Sequence, residues 1–235
     1  MTLPAKQGFP AARTRFDDLQ MVHVKQTADG PIHGVGGFLP FHRYYINLHE
    51  KLLRTECNYT GGQPYWNETI DAGSFSKSIL LTSDPGFGGN GSGSKGCITD
   101  GPFKDYVNSI GPGQTNKDHC IDRKINEGTS AGAKKDNVDC CMQQSTYVDA
   151  WHCLEGQIHS AGHGGIGGQV CYSRSSNLRL LNHVDVQCVL VTRRPSVLYA
   201  PRMDRQTLDG LAGQRSCCTN LGYGRHQPRL RFRNF

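Results

Sequence analysis

No stretch of this 235-residue chain approaches the roughly 18 continuous apolar residues of a membrane span. The opening residues, MTLPAKQGFPAART, lack the apolar run of a secretory signal. None of the ten cysteines stands in CxxC spacing, which argues against a zinc ribbon. Charged residues make up 20% and apolar ones 36%, so a core is affordable but not rich. Coiled-coil and collagen readings are excluded as well, and the length fits one domain of ordinary size or two small ones. Lys and Glu vanish after residue 168: residues 169–235 hold 11 Arg against 3 Asp, whereas residues 1–168 hold 15 Lys+Arg against 17 Asp+Glu.

What is present is turn chemistry, cysteine and histidine. The 29 glycines and 11 prolines imply much loop and few long helices. The cysteines, together with the sequons at Asn58, Asn67 and Asn90, point to disulfides and a secretory context, although no signal segment accompanies them. Residues 16–28 read as a short helix. Phe38 to Cys57 reads as the clearest one, with Phe41, Tyr44, Tyr45, Leu48, Leu52 and Leu53 at helical period and Pro40 suited to a first turn. Residues 58–135 read as loop with short helices, and Thr146 to His163 as helix again, stopped by the glycines of 164–168. The match of Gly91, Gly93 and Gly96 to a dinucleotide fingerprint follows no strand and opens no helix, so it reads as a surface loop.

Five histidines suggest a metal. His42 lies on the strong helix, His33 in the loop before it, and His23 on the preceding helix. His159 and His163 are an i, i+4 pair, which sets both imidazoles on one helical face as a bidentate clamp requires. No HExxH glutamate is present, and imidazoles without a carboxylate suit copper or zinc.

The run from His23 through Gln26-Thr27, Ile32-His33-Gly34, Phe38-Leu39-Pro40-Phe41-His42-Arg43-Tyr44-Tyr45 to Glu56-Cys57 resembles the first copper half-site of the tyrosinase family in its filamentous-fungal form. Gln63-Pro64-Tyr65-Trp66, Asp100-Gly101-Pro102-Phe103 and His119-Cys120 continue the resemblance. The segment Glu155-Gly156…His159…Gly162-His163…Ile166-Gly167-Gly168 is similar to the start of the second half-site. The resemblance covers residues 13–168. It implies a mainly α fold, a helical bundle presenting histidines to a dinuclear site and wrapped in long loops.

By the same resemblance, two copper ions take up O2 and oxidise o-diphenols to o-quinones, in pigment or secondary-metabolite chemistry. One copper falls to His23, His33 and His42, and the other to His159 and His163. Phe38 is expected to pack on the His42 ring. Glu155 takes the place of a carboxylate that anchors a water near the coppers and receives the phenol proton. Ser160 stands where the family has Asn, which favours o-diphenol oxidation over monophenol hydroxylation. Pro31 and Ile32 leave no Cys-x-His thioether partner for His33, and Trp66-Asn67-Glu68 lacks the family's second aromatic. The implied partners are a small phenol and O2, with no nucleic acid and no membrane. Two alternatives remain: a remnant with an incomplete second copper site, and a basic-tailed protein drawn to nucleic acid through its arginines.

Nothing in residues 169–235 matches the helix that completes the family's second half-site, and His183 and His226 lack its context. Codons compatible with residues 194–212, read one base later, permit Asp-Pro-Leu-Phe-Phe-Met-His-His-Ala-Trp-Ile-Asp-Lys-Leu-Trp. The codons of Met203 and Asp204 then force a tryptophan. The expectation is that the chain leaves the family's reading frame after about Gly168, and that its N-terminus is shortened too.

Overall fold

The structure, a computed structural model, describes residues 3–30, 32–112 and 115–168. The Arg-rich stretch 169–235, with His183 and His226, lies outside the described residues. Helix α1 (Arg15–Asp29) starts where Thr14 accepts the amide of Asp17 while Asp17 accepts that of Thr14, a reciprocal cap that satisfies two otherwise unpaired donors. Helix α2 (Phe38–Cys57) ends on Asn58 in the left-handed conformation. These two helices match the expected spans to within a residue.

The first half of α1 is buried on all sides. Phe16, Leu19, Met21 and Val24 are apolar, and Asp17, Asp18 and Gln20 are buried beside them. Each of these buried polar side chains has at least one partner, although Nε2 of Gln20 is left without one. Asp18 pairs with Arg15, which also reaches Glu56 at the end of α2 at 2.9 Å. Tyr106 donates to Asp17, and Asn108 donates to Gln20. Tyr45 on α2 donates to the Leu19 carbonyl at 2.6 Å, which fixes the two helices against each other. Burying such groups is tolerable only when they are paired in this way.

One expectation about α2 needs correction. Its buried residues are Phe38, His42, Tyr45 and His49, while Tyr44 stands 71% exposed. The inward stripe is therefore rotated from the purely apolar one, because two of the residues pointing in are imidazoles that apolar periodicity does not count.

Residues 58–135 are loop with short elements, as expected: α3 (Glu68–Asp71), the two-stranded pair β1 (Val107–Asn108) and β2 (His119–Cys120), α4 (Glu127–Ser130) and three 3-10 turns. Cross-links replace regular structure here. Cys97 is disulfide-bonded to Cys120. The buried Arg123 donates to the carbonyls of Gly88 and Gly89, and Glu127 accepts the amides of Phe75 and Ser76. Gly93 and Gly96 lie in a turn closed by a bridge between Ser92 and Cys97, and Gly91 just precedes it, consistent with the loop reading.

Helix α5 (Lys135–Met142) is joined to α6 (Tyr147–Cys153) by the disulfide Cys141–Cys153. From α6 the chain continues without a break through a π-helical stretch, Leu154–His159, into α7 (Ser160–Ile166). The helix runs past Gly164 and Gly165 and stops at Gly167, whose φ of 68° and closeness to the Lys124 carbonyl both demand glycine. Trp66, Phe75, Leu81, Ala133, Ala161 and Ile166 form the apolar core that carries this run. Among the described residues no helix is long and apolar enough to cross a membrane.

Candidate metal centre

Helices α1 and α2 and the turn between them deliver three imidazoles to one point. The ligating atoms of His23, His33 and His42 all lie within 4.8 Å of one another. His42 owes its orientation to its own helix, since its Nδ1 donates to the Phe38 carbonyl at 2.8 Å. That bond leaves the Nε2 lone pair for another partner, and Nε2 lies 3.2 Å from Nε2 of His23. An ion about 2.0–2.1 Å from both nitrogens would subtend about 100°, an ordinary ligand angle.

The second half comes from the π-helical stretch and α7. The His159 ring centroid lies 5.8 Å from that of His33 and 6.0 Å from that of His42, and His163 lies 4.3 Å from His159. The structure thus brings all five histidines singled out in the sequence together. Phe38 sits beside them, 4.5 Å from the His42 ring and 5.0 Å from the His159 ring, so it packs on His42 and touches both groups. The other described histidines have different employment. His49 bonds Gln63, His119 bonds the Lys117 carbonyl, and His152 packs on Trp151.

The electrostatics suit cation binding. Burial, together with the facing imidazoles of His33, His42 and His163, pushes His23 down to about 2. Burial takes His33 and His163 to about 4 and holds His159 well below the usual range. At neutral pH these four rings are neutral, the form that offers a lone pair to a metal. Nδ1 of His23, His33 and His159 is buried without a hydrogen-bond partner. A donor set of imidazoles without carboxylate fits copper or zinc and excludes magnesium or calcium. The residues present fit the copper that the sequence implies.

Glu155 is buried, and burial raises its carboxyl above the usual range while the Gly34 amide opposes that rise. Its Oε1 accepts the Gly34 N–H at 2.8 Å, so it is tied to the turn that carries His33. Two further residues meet the same turn and escaped the sequence reading. Tyr147 donates to the Gly36 carbonyl at 2.5 Å, and Trp151 lies beside Gly36. Their signal was the uniform spacing of four through Tyr147, Trp151, Glu155, His159 and His163.

A family model described as the common central domain of tyrosinase matches residues 13–178. The chain belongs to the tyrosinase family. The match runs ten residues past Gly168, where the resemblance read from the sequence ended. A tyrosinase of Aspergillus flavus, ustQ, is 30% identical over 181 residues, covering 70% of this chain and 49% of the relative. The N-acetyl-6-hydroxytryptophan oxidase ivoB of Emericella nidulans is 34% identical over 141 residues, covering 47% of this chain and 36% of the relative. Among solved structures, the G292N mutant of a polyphenol oxidase from Thermothelomyces thermophila is similar with a TM-score of 0.61 and 29% identity, over 68% of this chain and 52% of that one. Within the tyrosinase family, then, this chain spans about half the length of these two proteins, ustQ and the polyphenol oxidase.

Proposed function

We propose that this chain is a copper oxidoreductase that couples the oxidation of o-diphenols to the reduction of O2. The observation that carries the reading is the convergence of His23, His33 and His42 with His159 and His163 in one largely buried cluster. His23, His33 and His42 would hold one copper ion, and His159 and His163 would contribute to a second. When bound, the copper pair supplies two-electron redox chemistry with O2 without release of radicals. Each o-diphenol gives up two electrons and two protons to become an o-quinone, so two molecules reduce one O2 to two waters.

The chain's own groups do the rest. The Phe38 carbonyl fixes the His42 tautomer, and the Phe38 ring packs against the imidazoles of His33, His42 and His159 and holds them in place. Glu155, buried next to the cluster with one oxygen held by Gly34, is the nearby group suited to receive a phenol proton through a water. Ser160 donates its hydroxyl to the Glu155 carbonyl at 3.0 Å, which takes that hydroxyl away from the carboxylate. Without an amide at that position to orient a water, we assign the chain to o-diphenol oxidation rather than monophenol hydroxylation. Relatives named for tyrosinase and N-acetyl-6-hydroxytryptophan oxidation support an aromatic hydroxyl substrate.

The test is to load the full chain with Cu2+, count copper per chain, and follow O2 uptake with 4-methylcatechol and with 4-methylphenol. Two ions per chain and uptake with the catechol alone are expected. One ion and no uptake would favour a remnant that uses the His23, His33 and His42 triad alone. Uptake with the monophenol would overturn the assignment to diphenols.

A further inference from the structure

The second helical run repeats its site-facing residues every four positions, from Tyr147 through Trp151 and Glu155 to His159 and His163. In an unbroken α-helix such a row drifts by about 40° per step and winds about 160° around the helix over the four steps. The π-helical stretch Leu154–His159 holds more residues per turn, so the step from Glu155 to His159 falls short of a full turn and reverses the drift. The row therefore stays on one side, and its first four members all meet residues 33–36. Tyr147 bonds the Gly36 carbonyl, Trp151 lies beside Gly36, Glu155 accepts the Gly34 amide, and His159 stacks near His33.

The turn that receives these contacts has little stiffness of its own. Gly34, Gly36 and Gly37 lie within four residues, and Gly34 sits at φ 68°. His23 and His42 are each carried by a long helix, whereas His33 is carried by this turn alone. A ligand on a glycine-rich turn needs an external hold if it is to keep its place when metal binds.

We propose that Tyr147, Trp151 and Glu155 form a clamp that positions His33 and so sets the separation of the two histidine groups. Glu155 acts here as a positioning residue through Gly34. This role needs a hydrogen-bond acceptor at that place and does not need a negative charge. The inference rests on His33 being a metal ligand, as proposed above.

The experiment uses the full chain and three variants, Glu155→Gln, Glu155→Ala and Tyr147→Phe, each shown to be folded by far-UV circular dichroism. Hydrogen exchange of the Gly34 amide is measured without metal, and Cu2+ is then titrated and counted by equilibrium dialysis. Glu155→Ala is expected to speed Gly34 exchange by about tenfold or more, and to weaken the uptake of copper by a similar factor. Glu155→Gln, which keeps an acceptor, should hold both within about threefold of the wild type. Tyr147→Phe should speed the exchange of the turn with the carboxylate intact. Unchanged Gly34 exchange in Glu155→Ala overturns the clamp, as does a Gln variant that behaves like the Ala variant. If the wild type takes up no copper, the proposed function fails and the clamp proposal falls with it. If the wild type binds copper and the Ala variant binds it equally well despite faster exchange, the clamp proposal alone falls.

Discussion

Metal-free protein should lose stability in mild acid. His23 is held down to about 2, and His33 and His163 to about 4, from an ordinary value of 6.5. Between its folded and unfolded pKa, each of these rings is bare in the folded chain and protonated in the unfolded one. Stability therefore falls as pH falls, from about 6.5 down to the folded value. Going from pH 7.5 to 5, each ring costs about 2 kcal/mol, and the three together about 6 kcal/mol. That is of the order of a whole domain's stability. His159 adds in the same direction.

Glu68 and Glu155 work the other way, because burial holds their carboxyls above the usual range and the folded chain keeps a proton that the unfolded chain has released. One proton per group limits each to about 1.4 kcal/mol per pH unit, so near pH 5, where every unfolded imidazole is protonated, the two carboxyls offset at most about half of the slope set by the four imidazoles. Glu56, Asp118 and Glu127, held below the usual range, act only at lower pH. The assay is thermal and urea unfolding at pH 7.5, 6 and 5, with and without copper. The copper-loaded chain should show a flatter dependence, since a metal-bound nitrogen takes up no proton. His33→Gln should reduce the proton uptake of the metal-free chain by one. A metal-free midpoint that stays level from pH 7.5 to 5 would refute the reasoning, and so would a copper-loaded midpoint falling in parallel.

Two substitutions probe the frame around the centre. Gly165→Ala would set a Cβ 2.6 Å from Cε2 of Phe75 and 2.8 Å from Cβ of Ser130, both in the tight packing beneath α7. Overpacking of about 1–3 kcal/mol should lower the melting temperature by roughly 3–10 °C, and an unchanged melt would mean that α7 shifts freely. Cys153→Ser opens a disulfide that spans 12 residues, and should cost about 3 kcal/mol in urea unfolding. Reductant should then lower the wild-type midpoint by more than that of the variant.

The long helices were legible because their cues are local. Apolar period marks α1 and α2 to within a residue, and the glycines after His163 mark the end of α7 to within a turn. The five histidines were legible for a similar reason, since spacing and neighbouring residues carry the pattern. The rotation of α2 was hidden, because His42 and His49 face inward as polar residues and Tyr44 faces outward as an aromatic one. The π-helical stretch was hidden too, since residues four apart suit an α-helix equally well. Short elements such as Glu68–Asp71 and Glu127–Ser130 are held by distant partners, among them the Phe75 and Ser76 amides on Glu127, and no local propensity announces them. The Gly34 contact of Glu155 joins residues 121 apart, which no sequence window spans.

That last separation bears on how the centre is assembled. His23 and His42 are only 19 residues apart and are carried by two helices that follow one another, so the first group of rings can gather as soon as a short hairpin closes. The second group needs closure of a loop more than a hundred residues long, and loop-closure entropy rises with length. The three-ring half is therefore the part of the centre whose assembly costs less chain entropy, and the contacts of Glu155 and Tyr147 with residues 34–36 are part of what offsets the larger cost of the other half.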